Sequence, residues 1–137
     1  MGLILDSSVV IAAERRGDTP FQLLEQIANA GGNQQMAISS IALTEIVHAI
    51  YRAQTVEVRL RREAFIQDLL TDLEVAPFAR STAFLAGKID GQQRALGITV
   101  PSMDLLIGAT AIEIGYSLIT INLRHFRLIP GLIVLPL

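Results

Sequence analysis

The chain has 137 residues, no cysteine, and 11 basic against 13 acidic side chains, for a formal net charge of −2. That length predicts one domain over residues 1–137, able to bury about 68–70% of its unfolded surface, and the missing cysteines exclude disulfides and thiolate zinc sites. Mean hydropathy is high at +0.48, yet Asp104, Glu113 and Asn122 interrupt the apolar stretches before the ~18 residues of a membrane span.

The apolar surplus is therefore expected to mark a partner surface. No signal-peptide pattern precedes Asp6, and the expected location is the cytoplasm. A negative balance argues against passive, charge-driven nucleic-acid binding. The basic residues are uneven, however: Arg15-Arg16, Arg59, Arg61-Arg62, Arg124 and Arg127, with Lys88 the only lysine. Arginine suits phosphate contacts and ion pairs with a partner alike, and solvated helix faces are the third reading.

Leu3-Ile4-Leu5 reads as a buried strand running into Asp6-Ser7-Ser8, a helix N-cap pattern, with a short helix over Val9–Arg16 closed by Gly17. Pro20 opens a helix over Phe21–Ala30, and Met36–Ile38 is the next strand. Ser39-Ser40 caps a helix carrying Ile41, Glu45, His48 and Ala49 on one side, and a long helix follows over Val56–Asp72. Leu73–Pro77 is a brief strand. Ser81 caps a helix to Leu96, and Gly97 stops it. A helix spans Met103–Ile114, a strand Ser117–Ile121, a turn or short helix Asn122–Phe126, and a last strand Leu132–Leu135. Strands alternating with helices predict an α/β fold, with a parallel sheet of four to five strands covered on both faces.

Three carboxylates sit where an apolar core should continue: Asp6 after Gly-Leu-Ile-Leu, Glu45 within Ile-Ala-Leu-Thr-Glu-Ile-Val, and Asp104 before Leu-Leu-Ile-Gly-Ala. An unpaired carboxylate there costs several kcal/mol or so in desolvation unless it is paired or binds a metal. Asp6 could simply cap its helix, and Asp104 could be a first-turn acid favoured by the helix dipole. Glu45 is harder to explain this way, since Ile41, Ala42 and Ala49 on its face are apolar. In a parallel sheet, ligands bind at the carboxyl ends of the strands, where Asp6 and Asn122 fall. An oxygen-only ligand set suits Mg²⁺ or Mn²⁺, and such an ion supports phosphodiester hydrolysis.

The ordered motifs Leu-Asp-Ser-Ser, Ser-Ser-x-x-x-x-Glu, Met-Asp-Leu-Leu-Ile-Gly-Ala-x-Ala and Thr-x-Asn-x-Arg-His-Phe span nearly the whole chain. In them it resembles a PIN domain, and most of all the VapC-like ribonuclease toxins of type II toxin–antitoxin pairs. The resemblance implies a PIN-like fold and a Mg²⁺- or Mn²⁺-dependent endoribonuclease site. Asp6, Glu45 and Asp104 match its three acids, as catalytic residues and metal ligands. The fourth acidic position falls at Asn122, where an amide removes one charge. Thr120 matches a hydroxyl near the site, Ser7 is a supporting candidate beside Asp6, and Arg124 could contact an RNA phosphate or an antitoxin acid. His125 reads as structural in that pattern. His48, three residues after Glu45, reads as a packed or interface histidine, since the di-iron bundles with such pairs need two. Glu14 and Asp90 read as solvated or partner-facing.

The expected partners are an RNA substrate, a cognate antitoxin covering the acidic rim, and a second copy in a homodimer, with no membrane. The alternative is a catalytically weakened PIN-like module that binds RNA or protein, which only Asn122 favours. Phosphatases of the haloacid-dehalogenase type need a second Asp where Ser8 stands, and receiver domains need a late lysine after a strand, which Lys88 is not.

Overall fold

In the computed structural model, which describes residues 1–137, five parallel strands form one sheet in the order β3-β2-β1-β4-β5. They are β1 (Gly2–Leu5), β2 (Gln35–Ser39), β3 (Glu74–Ala76), β4 (Ser117–Thr120) and β5 (Val134–Pro136). Seven helices flank the sheet: α1 (Ser7–Arg16), α2 (Pro20–Gly31), α3 (Ser40–Tyr51), α4 (Val56–Leu69), α5 (Arg80–Ala95), α6 (Ser102–Ile114) and α7 (Leu123–Phe126). The α/β architecture expected from the alternating pattern is therefore present, with the upper strand count. No helix is long and apolar enough to cross a membrane.

β1 is the central strand, and Leu3, Ile4 and Leu5 have no exposed surface. A strand buried on both faces needs a continuous apolar run rather than alternation, and Gly-Leu-Ile-Leu supplies one. Leu5 lies opposite Ile38 of β2 and Ile119 of β4. The chain crosses from β1 to β2 and β3 on one side and reaches β4 and β5 on the other, so the strand order reverses at β1/β4. The carboxyl ends of those two strands form the crevice where such sheets hold ligands.

Local sequence signals set most of the helix ends. Thr19 and Gln22 form a reciprocal capping box ahead of α2, with Pro20 in its first turn. The Ser39 hydroxyl accepts from the Ala42 N–H and caps α3. Gly17 and Gly115 end α1 and α6 at positive φ, 83° and 73°, a conformation costly for side chains with a Cβ.

Several expected boundaries move. α1 starts at Ser7 rather than Val9. α4 stops at Leu69, three residues short of Asp72, because Leu70 to Asp72 turn to deliver Leu73 into the core. Ser81 does not cap α5: the helix begins at Arg80, and the Thr82 hydroxyl closes its start by accepting from the Ala79 N–H. The last strand starts at Val134 and ends on Pro136, which the edge of a sheet tolerates because no ladder donor is needed on its open side.

Candidate active site

Asp6 stands at the end of β1, directly beside Thr120 at the end of β4, and its N–H donates to the Ile119 carbonyl at 3.0 Å. It occupies the N-cap position of α1, but its carboxylate makes no capping bond. Instead Oδ2 accepts from the Ser8 hydroxyl at 2.6 Å and from the Thr120 hydroxyl at 2.8 Å. Thr120 is fully buried and also accepts from the Asn122 N–H at 2.9 Å. Asp6 itself is only 3% exposed, so its orientation is held by packing as well as by two hydroxyls.

Glu45 projects from the second turn of α3, where its Oε1 accepts from the Ser7 hydroxyl at 2.8 Å. Ser7 therefore serves Glu45, not Asp6 as its place in the sequence suggested. Entry into the helix turns successive side chains about 100° apart, so Ser7 and Ser8 serve different acids. Asp104 lies in the first turn of α6, and its Oδ2 is 2.8 Å from His125 Nδ1. The Asn122 amide lies 2.8 Å from the same Nδ1. An ionised carboxylate can only accept, so Nδ1 carries the proton toward Asp104; the amide nitrogen of Asn122 faces the same Nδ1, and only the amide turned to present its oxygen could share that proton.

The three acids form one electrostatic unit. Burial raises the carboxyl of Glu45 above the usual range; the Ser7 hydroxyl opposes this, and the charges of Asp6 and Asp104 add to it. Burial likewise raises Asp104, with the His125 hydrogen bond opposing and Asp6 reinforcing the shift. With no arginine or lysine among these carboxylates, a cation would relieve their mutual repulsion.

Each acid is anchored through one oxygen only. Asp6 Oδ1, Glu45 Oε2 and Asp104 Oδ1 accept no hydrogen bond from the protein. No three acidic or histidine side chains converge tightly enough to enclose a bare ion. The set fits a hydrated Mg²⁺, which keeps several waters and takes only one or two carboxylates directly.

Of the other residues singled out in the sequence, Arg124 is exposed on α7 and makes no ion pair. Glu14 is neither solvated nor partner-facing. It is buried behind α4, with Arg62 Nε at 3.5 Å and Arg61 Nε at 3.8 Å from Oε1, an oxygen that accepts no hydrogen bond. Asp90 makes a surface ion pair with Arg94 at 3.0 Å. Two contributors were not expected, Ser8 and His125. The Asp-x-Ser spacing and the Asn-x-x-His spacing were the signals that could have found them. A cavity of about 760 Å³ lies elsewhere, at the amino ends of β2 and β3; the acids sit at the opposite ends.

A five-stranded parallel sheet with acids gathered at its β1/β4 crevice defines an α/β hydrolytic domain of the PIN type. The chain belongs to the PIN-domain family, whose profile matches residues 3–131. It is 36% identical over 135 residues to Ribonuclease VapC1 of Rickettsia felis, covering 98% of this chain and 96% of that one. It is 31% identical over 98 residues to the tRNA(fMet)-specific endonuclease VapC of Salmonella typhimurium, covering 72% of each. Among solved structures it resembles VapBC2 from Rickettsia felis bound to a promoter DNA fragment, with a TM-score of 0.85 and 25% identity over 100% of this chain and 99% of that one. DNA-bound VapBC from Salmonella typhimurium is similar, with a TM-score of 0.83 and 25% identity over 99% and 98% of the two chains.

Proposed function

We propose that the β1/β4 crevice is the centre of a divalent-metal-dependent endoribonuclease, the toxin of a type II toxin–antitoxin pair acting in the cytoplasm. The observation that carries this reading is the shared arrangement of the acids: each is fixed through one oxygen and leaves the other unclaimed. The VapC ribonucleases among the relatives support the reaction class, and the VapBC complexes among the structural neighbours support an antitoxin as partner.

Asp6, Glu45 and Asp104 would hold a Mg²⁺ or Mn²⁺ ion, directly or through water. When bound, such an ion lowers the pKa of water and stabilises charge on a phosphoryl group. The protein's own part is positioning. Ser8 and Thr120 hold the Asp6 carboxylate, Ser7 holds Glu45, and His125 holds Asp104. Asn122 adds no charge and braces His125, so the fourth position supports Asp104 rather than a second cation. Asp6→Asn and Asp104→Asn should each abolish Mg²⁺-dependent RNA cleavage while leaving the circular dichroism spectrum unchanged. Full activity in both variants would sink the mechanism.

The second reading, a weakened module that binds without cutting, rests on Asn122. Titration with Mn²⁺ separates the two: a chain that binds no ion and cuts no RNA without its antitoxin is a binding module.

A further inference from the structure

Two helical stripes lead away from the acids. On α1, Ser7, Ile11 and Arg15 follow one another at four-residue intervals; on α3 and its C-cap, Glu45, His48 and Arg52 follow at three and four. Such spacings stack side chains on one face, and the two faces line a common groove. Its first part, a cavity of about 430 Å³, is bounded by Ser7, Glu45 and Met103 and floored by Ile11 and Ala49. Its second part, about 540 Å³, is bounded by Arg15, Arg52 and Arg62. His48 and Ala49 line both cavities, so the two lie next to one another along the α1/α3 face. From Glu45 to Arg52 it runs roughly 10 Å along the helix axis.

Two of the three arginines along the groove are not spent elsewhere. Arg15 and Arg52 make neither ion pairs nor side-chain hydrogen bonds, and both are exposed. Arg62 is already committed, 3.5 Å from the buried Glu14 and donating to the Ala49 carbonyl at 2.8 Å, so the free charges are those of Arg15 and Arg52. In a chain of net charge −2, this places a local positive end on a groove whose other end is negative.

We propose that this groove carries the RNA strand away from the scissile bond, with Arg15, His48 and Arg52 holding the first phosphates beyond the acids. The proposal rests on the nuclease reading above. A phosphodiester at the acidic rim forces its neighbouring phosphates past carboxylates that repel them, and a basic exit on the same groove offsets that repulsion. The apolar floor of Ile11 and Ala49 suits ribose and base faces, as in grooves that track single strands. His48 thereby acquires a role that a lone Glu-x-x-His pair did not suggest.

The test uses full-length protein carrying Asp6→Asn, so that bound RNA stays intact with Mg²⁺ present. Affinity for a short fluorescein-labelled single-stranded RNA is measured by anisotropy over a salt series, with and without Arg15→Gln and Arg52→Gln together. The double change should weaken binding by about tenfold or more at low salt. It should also make the slope of log K against log salt shallower by about 1.4, or about 0.7 for each lost phosphate contact. In the otherwise native enzyme, the same pair should raise KM more than it lowers kcat. Unchanged affinity and slope would overturn the groove assignment. Lost antitoxin binding with RNA affinity kept would overturn it too, by giving the arginines to the protein partner. The nuclease reading fails separately, if the native chain cuts no RNA under any divalent ion.

Discussion

Burial and mutual repulsion hold Glu45 and Asp104 above the usual carboxylate range, and this links the site to stability. A folded-state pKa above the unfolded one means that the folded chain keeps protons the unfolded chain has released. These acids therefore cost stability at neutral pH, and the cost fades as pH falls through their folded pKa toward their unfolded one. In EDTA at neutral pH, Glu45→Gln should raise the melting temperature, and the gain should vanish toward pH 4. Added Mg²⁺ should raise the melting temperature of the native chain and leave that of Asp6→Asn little changed. Thermal melts over a pH and metal series read both effects. Thr120→Val removes a buried donor to Asp6 and the acceptor of the Asn122 N–H. It should lower activity about 10–100-fold and cost roughly 1–3 kcal/mol of stability, measured by initial rates and by urea unfolding. The three acids were legible in the sequence because each interrupts an apolar run. Ser8 and His125 were not, because serines and histidines are common in such positions and only the fold shows which acid they meet.

At the level of elements, the site depends on β1 lying close against its neighbours. A Cβ on Gly2 would come within 2.7 Å of the Gln35 carbonyl oxygen in β2 and 2.6 Å of the Tyr116 ring. Backbone cannot yield as a side-chain end can, so Gly2→Ala should spread β1 from β2 and destabilise by about 1–3 kcal/mol. An unchanged urea midpoint would show that the strand start is free to shift. Strand and helix order were readable from the alternating pattern, since apolar periodicity and capping residues act locally. The boundaries at Leu69, Arg80 and Val134 were not, because tertiary contacts decide them: Leu73 seated in the core, the Thr82 hydroxyl at the start of α5, and pairing of Val134 with Leu118.

For the whole molecule, the apolar surplus is partly spent on the surface. Phe84 and Leu96 on or beside α5 are 71% and 73% exposed, and the Arg80 guanidinium sits 5.7 Å over the Phe84 ring. We propose that these exposed apolar side chains pack against a second copy of the chain in a homodimer. Light scattering at micromolar concentration should give twice the 14.9 kDa chain mass; a clean monomer would rule the dimer out. The three features lie apart in space, with the acids at the β1/β4 crevice, the unpaired Arg15 and Arg52 beyond them along the α1/α3 face, and exposed apolar side chains on α5.

The sequence by itself determined the parallel α/β class and the three acids out of place in apolar runs, because desolvation makes an isolated carboxylate conspicuous wherever it falls. Only the tertiary structure decided how those acids are held. Asp6 and Thr120 lie 114 residues apart and Ser7 and Glu45 lie 38 apart, so their meeting depends on strand register and helix packing, which no local pattern encodes. The same holds for the fourth position. Asn122 reads in sequence as a missing acid, and in the folded chain it is the amide that braces the histidine beside Asp104.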